Sequence, residues 1–521
     1  MGSQLGIRTI RMAAAPPSAR RARPDYDRRL NPTRPHRGVH AFTLMGVNTR
    51  TPQRGLVAVL AGGSIVVSSM QTIVAPLLPH IPAYTGSSRT AASWLLTITL
   101  LTGAVFTPLL GRLGDLYGKR RVLLASLGLL TIGALLCAIS SDITVLIIGR
   151  AFQGAALAVV PLSMSILRDE LKPAAVPAAV ALISSTLGIG GAVALPIATF
   201  VIENFDWHTM FWASTLLGVA DMVLVKRFVP PSANRAPGRF DIIGAIGLSA
   251  TLVCLLIAVT QAGAWGWSSP ATLGLLAAAL VIGIIWGFHQ LHTPSPMVDL
   301  RVSASRPVLL TNIGATAIGF AFAANSLATA QLIQEPIETG YGLGASLTVT
   351  GLCLMPMGLA MVVLSPVSGR IVATRGPRSA LTTASAILAI GYLVRVFTSE
   401  NLIAIVIGST IVAAGTAIAY SALPSMIMRS VPRDQTAAAN GLNTLMRSIG
   451  QALCSAVVAA VLTGVTLTID GDAFPTLWAY QLVFLISGAA AVAALVVTLG
   501  LPTRRGTVGS HTDDVLAREH A

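Results

Sequence analysis

The sequence predicts an all-α membrane protein of about fourteen transmembrane helices, arranged as two six-helix bundles plus two extra helices. Three observations predict it. Of 521 residues, 54% are hydrophobic and only 11% charged, with a mean hydropathy of +0.74, which is more apolar surface than a water-soluble core can bury. Apolar runs of roughly 20 to 28 residues recur along the chain, each long enough to cross a bilayer core of about 30 Å. A glycine-rich basic turn occurs twice, so the chain contains an internal repeat.

Residues 1–54 carry eleven arginines among Pro and Ala and hold no apolar run long enough to span. They are expected to form a basic, disordered cytoplasmic tail whose partner is the anionic lipid headgroup and not nucleic acid. No apolar segment with a small-residue cleavage site follows the charges, so the tail does not read as a secretory signal. Beyond it, spans 1 to 14 are expected near 56–80, 91–113, 120–140, 143–168, 174–203, 209–229, 240–263, 271–292, 306–334, 346–369, 379–397, 401–428, 436–466 and 475–501. They divide into an N-terminal bundle (55–230), a linker with two extra helices (231–305), a C-terminal bundle (306–502) and a second cytoplasmic tail (503–521).

Charge sets the orientation. With the N-terminus inside, the outer loops receive only Arg89 and Arg395, Arg150 and Arg447 fall within helices, and every other Lys and Arg is cytoplasmic or at that interface. Asp142, Glu203, Asp206, Glu335, Glu338, Glu400, Asp470 and Asp472 land outside. An even number of spans puts both termini in the cytoplasm of a multi-pass protein of the cell membrane.

The repeated turn is Gly111-Arg-Leu-Gly-Asp-Leu-Tyr-Gly-Lys-Arg-Arg121 between spans 2 and 3, and Gly369-Arg-Ile-Val-Ala-Thr-Arg-Gly-Pro-Arg378 between spans 10 and 11. Gly111, Gly114 and Gly118 let two helix ends approach, while Lys119, Arg120 and Arg121 stay on the wet side. Asp115, alone among cations, suits pairing with a neighbour or with a helix N-terminus. In the second copy Gly369, Arg370 and Gly376 keep their places, but Ala373 replaces the acid. The first copy resembles the loop signature between helices 2 and 3 of the major facilitator superfamily. Other stretches resemble its fourteen-helix drug:proton antiporters. These are Arg150-Ala-Phe-Gln-Gly154 in span 4, Asp206-Trp-His-Thr-Met-Phe-Trp212 before span 6, Phe240-Asp-Ile-Ile-Gly244, Trp265-Gly-Trp267, and Asn443-Thr-Leu-Met-Arg447-Ser-Ile-Gly450 in span 13. The resemblance covers residues 55 to 505. It implies the major facilitator fold and secondary efflux of drugs or toxic compounds by alternating access, with a gate at Gly111, Asp115, Gly118, Lys119, Arg120, Gly369, Arg370 and Gly376, and with a buried arginine implicated in proton coupling.

Two departures stand out. Met70 and Gln71 precede Thr72-Ile73-Val74 where the family writes an acid. In span 5 the antiporter glycine motif keeps Gly188, Gly190, Gly191 and Pro196, but Leu195, Thr199 and Phe200 occupy glycine places. The glycines permit close packing, or a bend near Pro196.

Proton coupling needs a group that changes protonation between two access states, and the candidates are Arg150, Asp221 and Arg447. Asp221, the one acid well inside an expected span and not at its end, has two readings open, a coupling carboxylate or a side chain snorkelling toward the cytoplasm beside Lys226. Arg150 likewise either tunes a proton site or is tied to helix carbonyls. The polar residues Gln71, Gln153, Asn325, Gln331 and Asn443, with Asn312 and Gln334, are candidates for a substrate cavity; helix-to-helix hydrogen bonds are the alternative for each. A chamber so poor in charge suits an amphiphilic or apolar solute. No phosphate-binding glycine loop, metal-ligand cluster or catalytic triad spacing occurs, so the reading is a monomeric transporter, not an enzyme, with no cofactor and no metal. Cys137, Cys254, Cys353 and Cys454 stand alone in apolar runs. An exporter of an endogenous solute without proton exchange, and a non-transporting sensor on the same fold, remain the alternatives.

Overall fold

The structure is a computed structural model that describes residues 50–501, apart from positions 75, 79, 233, 399, 400, 470 and 471. The expectations for the two tails, Glu400 and Asp470 therefore concern positions outside the described residues, as do those for the side chains of Arg89 and Glu203.

Twelve helical runs among the described residues are long and apolar enough to cross a membrane. One of them, Thr348–Phe397, contains two spans, because Gly376 adopts φ 83° and ends the first at the point where Pro377 begins the second. Helix Val176–Asn204, which continues through Pro196, supplies the remaining span. Each of the fourteen expected spans thus holds a helix, although that of span 1 ends at Thr72, short of residue 80. Each begins where a short polar side chain can accept a first-turn N–H or where the preceding turn ends. Ser88 caps span 2 through Ala91, Asp142 caps span 4 through Thr144 and Val145, Asn401 caps span 12 through Ile403, and Thr476 caps span 14 through Ala479. Backbone N–H groups of Val145 and Thr144 also hold the exposed Asp142 carboxyl below its ordinary range.

Three departures from expectation are local. Span 4 is interrupted by one tighter turn, Ala156–Ala158, between Ile143–Ala155 and Val159–Glu170. The loop before span 14 is a two-stranded antiparallel hairpin, Thr466–Ile469 against Asp472–Pro475. Arg395, expected in an outer loop, is instead 2% exposed inside the helix that ends at Phe397. Its guanidinium donates to Asn325 Oδ1 (2.5 Å) and lies 3.9 Å from the centre of the Phe484 ring, so an amide oxygen and an aromatic face replace the water that the loop position would have supplied.

The apolar interior falls into two large clusters. One is built almost wholly from residues 56–229, including Leu60, Leu123, Leu127 and Leu162; the other from residues 315–501, including Ile318, Leu388, Val412 and Phe484. A smaller cluster joins Leu101 and Val105 of span 2, Leu248 and Leu252 of span 7, and Leu445 of span 13, which places span 7 at the seam between the halves, with span 8 packed on span 7. Large apolar side chains such as Leu216, Ile243 and Val363 face outward, as lipid contact requires.

The repeat is visible in the packing. A Cβ on Gly111 of span 2 would lie 2.7 Å from the Ala437 carbonyl oxygen at the start of span 13, and one on Gly369 of span 10 would lie 2.9 Å from Ala178 Cα at the start of span 5. Each half therefore presses the glycine of its repeated turn onto the first turn of a helix in the other half, at one common end of the bundle. Gly118, at φ 105°, makes the reversal there that Gly376 makes in the second half.

Candidate functional site: a closed gate over a central cavity

The common end, called the basic face below, is held shut by side chains from the first copy of the turn. Asp115 is fully buried, and its carboxylate accepts from Ala438 N (2.8 Å) and Ala437 N (3.2 Å). These are first-turn N–H groups of helix Thr436–Gly464, which have no partner within their own helix and carry its positive end. Lys119, also fully buried, sits 2.6 Å from Asp169 Oδ2 and 3.8 Å from Asp115 Oδ1, and donates to the Arg433 carbonyl (3.4 Å). Arg168 donates to the carbonyls of Val431 (3.1 Å) and Pro432 (3.5 Å) and to Thr436 Oγ1. The segment 431–438 of the second half is thus gripped by three charged residues of the first.

The second copy of the turn meets the first half differently. Ala373 offers no charge, Arg370 is exposed, and the contact is the close approach of Gly369 to Ala178. Arg120 lies beside the gate without joining it; its backbone N–H donates to Ser232 Oγ (3.0 Å) in the linker to span 7.

Between the halves lies a cavity of about 310 Å³. The first half contributes Ser68, Gln71 and Thr72 from span 1 and Leu187, Gly188 and Gly191 from span 5. The second contributes Phe322 and Ser326, then Met357 and Met361, and finally Tyr420 and Gln451. No charged side chain among the described residues lines it. Polar groups on an otherwise apolar wall, two of its residues being flexible methionines, fit an uncharged or amphiphilic solute and leave room for varied shapes. Arg447 stands one residue behind the wall, 4.6 Å from the centre of the Tyr420 ring and donating to Thr444 Oγ1 (3.0 Å).

Of the five residues expected to line such a cavity, Gln71 does so. Gln153 is buried, accepting from Arg150 Nη1 (2.5 Å). Asn325 joins Arg395 to the Ser409 carbonyl (3.0 Å), Asn443 donates to Asn312 Oδ1 (3.0 Å), and Gln331 is exposed at the opposite end. Arg150, 1% exposed, donates to the carbonyls of Met70 (2.9 Å) and Leu95 (3.2 Å), so it ties spans 1 and 2 to span 4. No carboxylate among the described residues pairs with it. Asp221 does not snorkel. It is 5% exposed and lies against Gly62 and Gly63 of span 1, and its Oδ2 has no hydrogen-bond partner among the described residues. Gly188 abuts Met361 across the seam, and Gly191 opens onto the cavity.

Sequence reasoning missed Arg168, Asp169, Met357, Met361, Tyr420 and Gln451. An available signal for the first two was the charged run Arg168-Asp169-Glu170 ending span 4 on the basic face, where an acid among cations marks an ion pair. The methionines and Tyr420 leave no such mark.

Two helical bundles facing a shared chamber that is shut at one end have the architecture of a multi-pass membrane transporter. The sequence model of the Major Facilitator Superfamily matches residues 60–334 and 308–515, and the chain belongs to that superfamily. It is similar to the multidrug resistance protein Stp of Mycobacterium tuberculosis, at 26% identity over 393 residues, 75% of this chain and 72% of that protein. It is also similar to the tetracenomycin C resistance and export protein of Streptomyces glaucescens, at 25% identity over 425 residues, 81% of this chain and 77% of that protein. Among solved structures, the human organic anion transporter MFSD10 (TETRAN) shares the fold, with a TM-score of 0.63 and 17% identity over 86% of this chain and 99% of that one.

Proposed function

We propose that this chain exports amphiphilic drugs or other toxic compounds across the cell membrane in exchange for protons, with the basic face and both termini in the cytoplasm. The observation that carries the reading is the uncharged, methionine-bearing cavity lying between the two halves behind a shut basic face. Relatives named for drug resistance and antibiotic export support the substrate class. In this reading the gate residues are Gly111, Asp115, Gly118 and Lys119 with Asp169 and Arg168, and the cavity residues are Gln71, Ser326, Tyr420 and Gln451. The proton site is Asp221, a buried carboxylate between spans 1 and 6 whose Oδ2 has no hydrogen-bond partner among the described residues.

A second reading is favoured by one observation: no carboxylate among the described residues lines the cavity. Export would then run down the solute's own gradient without proton exchange. Proteoliposomes separate the two. Antiport requires proton release that depends on added dye or drug and is abolished by Asp221→Asn. Solute flux with no proton movement supports facilitation. No flux across a broad panel, by protein that is correctly folded, removes both.

A further inference from the structure

We propose that the basic face carries a built site for the phosphate headgroup of an anionic phospholipid, in the groove where the ends of spans 3 and 6 meet the linker to span 7. The groove encloses about 310 Å³, and Arg120, Arg121, Lys226 and Arg235 all line it. No acid does. Four cations around one small volume repel each other, and a phosphate with its several acceptor oxygens relieves that repulsion while satisfying their donors. Arg120 supplies an independent sign of a missing partner. Its Nη2 donates to the Lys226 carbonyl (2.5 Å), but its Nε is buried with no hydrogen-bond partner among the described residues.

The site is held in shape by the backbone. Besides the Arg120 N–H bond to Ser232, Ala236 N–H donates to the Asp115 carbonyl (2.7 Å), so the linker is laid across the turn; a side chain at Gly118 would meet Ser232 and Arg235. The groove also adjoins the N-terminus of helix Lys119–Ile139, whose dipole favours an anion. The surrounding surface argues for a lipid over a free anion. Val223, Leu224 and Phe228 on the same end of span 6 are exposed and apolar, as residues against acyl chains are, while Leu124 and Pro231 give the groove an apolar wall.

The test uses the purified full chain in nanodiscs of phosphatidylcholine, with or without phosphatidylglycerol, read by lipid retention in native mass spectrometry and by the thermal unfolding midpoint. Wild type is expected to retain phosphatidylglycerol and to unfold several degrees higher with it. The double variant Arg121→Gln/Arg235→Gln should lose retention about tenfold or more. A charge-matched control, Arg301→Gln/Arg306→Gln, alters two exposed cations outside the groove and should behave as wild type. Should the double variant fail to fold, Lys226→Gln is read in the same way. Equal retention by groove variants and control overturns the site, and the same thermal shift from inorganic phosphate in neutral nanodiscs overturns the lipid assignment.

Discussion

Replacing Asp115 by Asn removes the charge from the gate with almost no change in volume. The carboxylate accepts two N–H groups at the positive end of span 13, at 2.8 and 3.2 Å, and stands 3.8 Å from Lys119. Asn keeps one acceptor and loses the charge, so a charged hydrogen bond falls to a neutral one and the helix-terminus attraction is lost. Together these weaken the closed state by about 2 kcal/mol. At 1.4 kcal/mol per factor of ten, the ratio of open to closed basic face rises about 30-fold. Lys119 keeps Asp169 at 2.6 Å and Arg168 keeps its three acceptors, so insertion and folding should survive. Spin labels at Tyr117→Cys and Arg375→Cys, exposed positions on opposite halves, report the separation by pulsed electron resonance. A new, longer distance should appear in Asp115→Asn. A distribution changed less than twofold in population would falsify the assignment of Asp115 as the lock.

Gln71→Leu, in the cavity wall, should raise KM for substrates bearing a hydrogen-bonding group by about fivefold, with little change for purely apolar ones, in vesicle uptake assays. Asp241 caps span 7; its carboxylate accepts from Gly244 N (2.8 Å), Gln290 Nε2 (2.8 Å) and His289 Nε2 (3.1 Å). Burial pushes its pKa up, but these bonds outweigh burial and hold it below the ordinary value. Its stabilisation is therefore complete above the ordinary carboxylate pKa and disappears as pH falls through the depressed one. Asp241→Asn should lower the unfolding midpoint at pH 7 by an amount that shrinks on acidification, and a pH-independent difference would contradict the sign. Asn325→Leu removes an acceptor from the buried Arg395 and should destabilise the second bundle by about 2 kcal/mol, seen as a lower thermal midpoint, whereas an unchanged midpoint would show that the bond contributes nothing.

The helices were legible because a bilayer core demands long apolar runs, and the gate turn because glycine and clustered cations have few other uses there. The partners of the gate were not legible. Asp115 and Ala438 are far apart in the chain, and only packing of the two halves brings them together. Polarity alone also failed to say which way a side chain faces. Gln71 opens onto the chamber, while Gln153 and Asn325 use the same kind of amide to satisfy buried arginines. Arg395 was misplaced because its span runs nearly to its C-terminal limit before reaching polar residues. The repeat explains it better than hydropathy does: Arg395 follows Gly376 by the interval at which Cys137 follows Gly118. Gly408 packs against Arg395 as Gly149 packs against Cys137. At this packing site the first half carries a buried arginine on span 4, Arg150, and the second half carries one on span 11, Arg395.

The most direct measurement is the accessibility of Ser326→Cys, in the cavity wall, to a membrane-impermeant thiol reagent applied from each side of oriented vesicles. Alternating access behind a shut basic face predicts labelling at least tenfold faster from the opposite side in the resting protein, and a reversal of that preference toward the basic side in Asp115→Asn. Equal rates from both sides, or faster labelling through an intact basic face, would contradict it.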